Sequence, residues 1–134
     1  MSTPSDAKQV VAQFWAAMHA NDFAGAGEWL HDDYVLEWPQ SGERIRGRAN
    51  FVAINANYPR AAGAGALGRW QINLERLVAE GDQVASQVSV SDGVIHAVAI
   101  TFSTVREGRL WRQVEYWPDP FAPQVWRAQW VERA

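Results

Sequence analysis

Glu107-Gly108-Arg109-Leu110-Trp111-Arg112-Gln113-Val114-Glu115-Tyr116-Trp117-Pro118-Asp119-Pro120 reads as a tight turn feeding a long strand. Neighbouring residues on a strand point to opposite sides. One side therefore carries Trp111, Gln113, Glu115 and Trp117, and the other Leu110, Arg112, Val114 and Tyr116. A Gln and a carboxylate set between two indoles mark a cavity wall with a few polar points. A plain packed core needs less.

Working backwards, three further strands are predicted at 69–80, 83–91 and 94–105, ahead of the one at 110–117. Gly81-Asp82 and Asp92-Gly93 are their hairpin turns. Three helices come first. Thr3 as N-cap, Pro4 at the first helical position and Asp6 in the first turn open a helix over 4–20. Val10, Val11, Phe14, Trp15 and Met18 recur along it at helical spacing. Asn21-Asp22 starts a second, short helix ending near Trp29-Leu30, and Tyr34 to Trp38 is a strand stopped by Pro39. A third helix spans Gly47 to Asn57, with Phe51, Val52, Ile54 and Asn55 inward and Pro59 after it. Ala61 to Gly68 is a loop, and Trp126 and Trp130 in the tail predict a helical turn packed on the body. No repeat or boundary divides the chain, so residues 1–134 form one domain. Helices followed by antiparallel strands give an α+β fold: three helices on a curved, mainly antiparallel sheet wrapping the first helix as a cone.

Composition narrows the function. Apolar residues make up 48% of the 134, which is globular, and eight are Trp. Large aromatic side chains dominate cores and interfaces, so some of these Trp line a cavity or a subunit contact. There is no Cys, hence no disulfide, thiolate nucleophile or Cys metal site. His19, His31 and His96 match no metal-ligand spacing, and nothing calls for a cofactor. A net charge of −3 argues against nucleic acid as a partner. Arg44, Arg46 and Arg48 read as a solvated strand edge. The polar N-terminus has no hydrophobic signal region and no run is long enough to span a bilayer, so the expected location is cytoplasmic, away from membranes.

A two-residue turn at Asp92-Gly93 sets Ser89 beside His96 and Gln87 beside Val98. The turn at 106–109 sets Phe102 beside Gln113 and Ile100 beside Glu115. One face then collects Gln87, Ser89, His96, Val98, Ile100, Phe102, Gln113, Glu115 and Trp117, assigned to a ligand pocket closed by Phe14, Met18, Phe51, Leu36 and Trp38. The other collects Val84, Ser86, Val88, Val90, Ile95, Ala97, Ala99, Thr101 and Ser103, small and uncharged, and is assigned to a homodimer interface. Glu115 is the candidate acid/base, because apolar walls raise a carboxyl pKa. Pairing with Arg76 or a wet rim are its alternatives. His96, which titrates near neutrality, is the second candidate; a place at the cavity mouth is its alternative. Arg76 points inward opposite Gln87, or a bulge turns it outward. His19 suits the helix dipole, and His31 a solvated loop.

Val10 to Trp15, Ala20 to Phe23, Leu30 to Val35, Gly42 to Arg48, Glu80 to Asp82 and Arg106 to Trp117 resemble, in order and spacing, the SnoaL-like branch of the nuclear transport factor 2-like superfamily. The resemblance covers nearly the whole chain. It implies a cone with a pocket between helix and sheet, and dimers packed through the outer sheet face. It implies no single activity, because members include isomerases, epoxide hydrolases, cyclases and binding proteins. Positions that carry the proton-moving groups of ketosteroid isomerase-like members fall on Phe14, Trp38 and Ile100, which cannot serve. For limonene-epoxide-hydrolase-like members, Arg76, Glu115, Tyr58 and Asn55 match part of the set, but a second carboxylate is missing. A SnoaL-type cyclase needs one acid/base, available from Glu115 or His96. The leading expectation is a protein that binds a small, largely apolar molecule through Phe14, Met18, Trp38, Phe51, Gln87, Phe102, Gln113 and Trp117. The alternatives are a cofactor-independent cyclase, isomerase or hydrolase and a purely structural dimer.

Overall fold

A computed structural model describes residues 4–134, so the Thr3 cap lies outside the described residues. The element order is α1 (Pro4–His19), α2 (Phe23–Gly27), β1 (Leu30–Trp38), β2 (Glu43–Arg46), α3 (Arg48–Ala56), β3 (Gln71–Glu80), β4 (Gln83–Ser91), β5 (His96–Arg106), β6 (Arg109–Tyr116) and a 3-10 turn (Val125–Trp130). The six strands form one sheet in the order β2-β1-β6-β5-β4-β3. Among the described residues, only the β1–β6 pair is parallel. The α+β cone is thus the observed architecture.

The first helix lies in the concave face of the sheet. Ala7, Val10, Val11, Phe14, Trp15 and Met18 are buried, and their spacing of three and four draws one stripe along the helix. Two side chains fasten its end to β3. His19 accepts the Ile72 N–H on Nδ1 at 3.1 Å, and Asn21 both donates to the Trp70 carbonyl and accepts the Trp70 N–H. His19 is therefore a backbone fastener as well as a last-turn residue. Arg44 and Arg46 lie exposed on the edge strand β2. Arg48 differs: its guanidinium donates to the carbonyls of Gly27 (2.7 Å) and Leu30 (2.6 Å) and ties α3 to α2 and β1.

Two features of the sheet depart from expectation. The β4–β5 connection is a four-residue loop, so Ser91 pairs with His96 and Gln87 with Ile100. That shift of two residues keeps every side chain on its expected face. The β5–β6 turn behaves differently. Glu107 (φ 55°) and Gly108 (φ 75°) make the tight turn, and Arg106 pairs with Arg109. Then Trp111 is left without a partner: Val105 pairs with Leu110 but Thr104 pairs with Arg112. This one-residue bulge inverts the faces. Gln113 stands beside Ser103 and Glu115 beside Thr101. A break in register around Glu75 settles the two placements read for Arg76: it pairs with Gln87 and is exposed on the outer face.

The face read from sequence as a dimer interface is consequently the inner one. Val84, Ser86, Val88, Val90, Ala99, Thr101 and Ser103 are all buried under the helices. The tail is also corrected. It forms a 3-10 turn, but Trp126 and Trp130 stand exposed and do not pack on the body.

The loop between α3 and β3 is held by Asp92. Its carboxylate accepts the N–H groups of Ala61 (2.6 Å), Ile95 (2.7 Å) and Val94 (3.0 Å), and its carbonyl accepts the Leu67 N–H. Gly93 passes so close to this loop that an added Cβ would lie 2.0 Å from the Gly65 carbonyl oxygen. Burial alone would raise the Asp92 pKa, but the hydrogen bonds from Ala61, Ile95 and Val94 outweigh it and hold the group below its usual value. A lowered folded-state pKa means that the stabilisation is complete above the unfolded-state value and fades as pH falls through the folded one. Asp92→Ala is expected to lower the melting temperature at neutral pH and to speed amide exchange at Ala61, Val94 and Ile95. The difference from wild type should close in strong acid. Unchanged exchange at those three amides would refute the assignment.

Candidate functional site

Between α1, α3 and the inner face of β6 lies a cavity of about 160 Å³. The helices give it Phe14, Trp15, Met18 and Phe51, and strands β1, β3 and β6 give Leu36, Trp38, Ile72, Gln113 and Glu115. Tyr58 and Pro59 after α3, and Ile95 before β5, close it from the two loops that Asp92 ties together. Of the eight Trp, Trp15, Trp38, Trp70 and Trp117 line it. Edge-on aromatic contacts stiffen the wall: Phe14 with Trp15, Tyr34 with Phe51 and Tyr58 with Trp70.

The polar part rests on two inward residues of β6. Tyr34 donates its hydroxyl to Gln113 Oε1 at 2.5 Å, and Gln113 Nε2 donates to Ser103 at 3.0 Å. The Tyr34 pKa is pushed well above 10.0, first by burial and then by the charge of Glu115, so the hydroxyl stays a donor. This orients the Gln113 amide. Its Nε2 has two hydrogens, and among the described residues Ser103 uses only one.

Glu115 is buried and carries no ion pair among the described residues. Its Oε1 accepts two indole N–H groups, from Trp38 and Trp117, each at 3.0 Å, while Thr101 bonds Oε2 at 2.6 Å. An indole N–H can only donate. A proton on Glu115 must therefore sit on Oε2, shared with the Thr101 hydroxyl. Burial raises the Glu115 pKa, and the hydrogen bonds from Thr101, Trp38 and Trp117 offset it only in part.

Eight of the residues assigned to the pocket from sequence meet here: Phe14, Met18, Leu36, Trp38, Phe51, Gln113, Glu115 and Trp117. Gln87, Phe102 and His96 do not, because the Trp111 bulge puts β4 and β5 the other way round. Phe102 and His96 are exposed on the outer face, and Gln87 is half-buried there. Ile100 faces outward too, and Thr101 takes the inner place. With Arg76 outside, the partial epoxide-hydrolase set of Arg76, Glu115, Tyr58 and Asn55 is not assembled. Trp70, Ile72, Val90 and Ala97 were missed as lining residues. A bulge placed at Trp111 would have brought Val90 and Ala97 in, since both share the inner face with Glu115. His31, expected in solvent, sits on β1. It accepts the Asp33 N–H on Nδ1, so Nε2 carries the proton given to Glu107.

The raised Glu115 pKa has a signed consequence. The folded protein binds this proton more tightly than the unfolded chain, so its contribution is most favourable in acid. It declines as pH rises from the unfolded value, near 4.5, through the folded one. Glu115→Gln keeps both the indole acceptor and a group that can donate to Thr101. The variant is expected to gain stability over wild type as pH climbs above about 5, read as denaturant midpoint against pH. A difference that does not vary with pH would contradict the raised pKa.

A family model of the SnoaL-like domain matches residues 11–113. No curated protein matches the chain. Among solved structures, a candidate ketosteroid isomerase from Kribbella flavida is 27% identical, with a TM-score of 0.86 over 98% of this chain and 91% of that one. A protein of unknown function from Burkholderia xenovorans, described as NTF-2 like, is 28% identical, with a TM-score of 0.76 over 97% of this chain and 96% of that one. An epoxide hydrolase from M. tuberculosis shares the fold at 21% identity, with a TM-score of 0.67 over 86% of this chain and 84% of that one. With its cone of helix and sheet and a family match over most of its length, this chain belongs to the SnoaL-like domain family of the NTF2-like superfamily.

Proposed function

We propose that the cavity binds a small, largely apolar molecule about the size of one aromatic ring. The observation that carries this is a volume of about 160 Å³ walled by aromatic side chains, with polar groups confined mainly to Gln113, Glu115 and Asn55. A cavity of about 150 Å³ takes benzene, whereas drug-sized ligands occupy roughly 300–1,000 Å³. The spare Gln113 N–H suits a carbonyl or hydroxyl on the ligand. Glu115 has one oxygen committed to two indoles and so acts first as the clamp that holds Trp38 and Trp117 in place.

Titration with toluene, phenol and acetophenone, followed by calorimetry and Trp fluorescence, tests the reading. Saturable binding is expected for at least one of them. Ala97→Leu adds bulk at the cavity wall and should weaken that binding tenfold or more with little loss of stability. No saturable binding by any probe, or full binding by Ala97→Leu, would sink the proposal.

One observation favours a second reading, a cofactor-independent cyclase, isomerase or hydrolase. Glu115 is a buried carboxyl with a raised pKa and no cationic partner among the described residues, two positions along the strand from an amide donor. In that reading Oε2 exchanges the proton and Gln113 Nε2 steadies a developing oxyanion. A single acid–base group contributes roughly 10²–10⁴-fold. Glu115→Gln should then reduce kcat by about that factor with a smaller change in KM.

The chain is further proposed to be a homodimer through the outer sheet face. Val78, Ala85, Phe102 and Val114 form one row across four strands there, and Ile100 and Tyr116 lie beside it. Phe102 and Tyr116 meet edge to face with centroids 6.4 Å apart.

A further inference from the structure

We infer that residues 121–131 form an arm that docks on the outer sheet face of a second copy of this chain. The inference rests on the homodimer reading above. Beyond β6 the chain leaves the cavity mouth at Trp117, whose N–H is held by Gln40 at 2.6 Å. It then exposes Phe121 (76%), Val125 (89%), Trp126 (69%), Trp130 (72%) and Val131 (53%). Five large apolar side chains in eleven residues, none buried against its own body, are a surface without a partner.

The segment is not a featureless linker. Residues Val125–Trp130 form a 3-10 turn, and the Trp126 indole donates to Gln124 at 2.8 Å. The alignments with the Kribbella flavida and Burkholderia xenovorans proteins span 98% and 97% of the chain, so they run into this segment. Those with structures of lower identity cover 83–87% of the chain.

Area points to a second copy as the occupant. A stable interface buries about 800 Å² on each partner. At roughly 150–250 Å² for a whole aromatic side chain, half-exposed Phe102 and Tyr116 offer on the order of 200 Å² and exposed Val78 on the order of 100 Å² more, still well short of that area. Phe121, Trp126 and Trp130 offer on the order of 400 Å² more. The same chain thus carries two incomplete apolar surfaces, an arm and a stripe. A two-fold pair joins each arm to the other copy's stripe and buries both twice.

Sedimentation equilibrium on the full chain and on Trp126→Ser/Trp130→Ser tests this, with circular dichroism as the fold control. The wild type is expected to be dimeric at micromolar concentration. The double variant, and Phe102→Arg on the stripe, should each weaken the dimer at least a hundredfold. The chain has no Cys, so single thiols can be introduced cleanly. Ala128→Cys and Gln87→Cys chains, mixed and treated with a bismaleimide, should give a crosslinked heterodimer. A monomeric wild type overturns both the dimer and the arm. A dimer that Trp126→Ser/Trp130→Ser leaves intact overturns the arm alone. So does a crosslink that forms within one chain carrying both thiols and not between chains.

Discussion

Strand β6 has to serve two neighbours that make different demands, and the single unpaired residue Trp111 reconciles them. On one side β6 runs parallel to β1, and on the other it closes a tight antiparallel turn with β5. Without the bulge, Gln113 and Glu115 would lie beside Phe102 and Ile100, which offer no hydrogen-bonding side chain. With it they lie beside Ser103 and Thr101, which offer hydroxyls. A buried polar group without a partner costs about 1–3 kcal/mol. Satisfying the Gln and the Glu and setting the register are therefore one event. Trp111 itself is covered by the guanidinium groups of Arg106 and Arg112, 3.4 Å and 4.2 Å from its ring centre.

That arrangement gives the cavity an unusual electrostatic floor. Three donors surround the Glu115 carboxyl, but none is a cation. Neutral donors soften the penalty for burying the carboxylate without cancelling it, and the group keeps a raised pKa. Its charge in turn pushes the neighbouring Tyr34 hydroxyl further from ionisation. The floor thus presents one oriented amide and one acid whose exchangeable proton is confined to a single oxygen. Two indoles locked by the other oxygen supply the walls, so shape and polarity are set by the same side chain.

Local rules made much of the fold legible. The stripe of Val10, Phe14, Trp15 and Met18 marks α1 because helical period and burial coincide there. Gly81-Asp82 marks a true two-residue turn, with Glu80 paired to Gln83. The inward set of β6 also followed from strict alternation along one strand, which is why Gln113, Glu115 and Trp117 stood together from the start. Errors entered at the next two strand pairings, β4 with β5 and β5 with β6. Asp92 looked like the first residue of a tight turn, yet its carboxylate caps two N–H groups and spreads the loop to four residues. A two-residue shift does no harm to the faces, but the one-residue shift at Trp111 exchanged the whole of β4 and β5. It moved His96, Gln87 and Phe102 out of the site.

The amino-acid sequence by itself determined the three helices and five of the six strands, the fold class, the helix face that is buried and the polar pair on β6, because these follow from the periods of single segments and their order; the short edge strand β2 was not among them. Tertiary structure alone decided which side of β4 and β5 meets that pair and where Arg76 points. It also decided that the tail stands clear of the body. The reason is that a bulge is a property of two strands together. It is stabilised by groups distant in sequence: the hydroxyls of Thr101 and Ser103, the indole of Trp38 and the hydroxyl of Tyr34. No local pattern contains those distances, and they exist only once β1, β5 and β6 lie side by side.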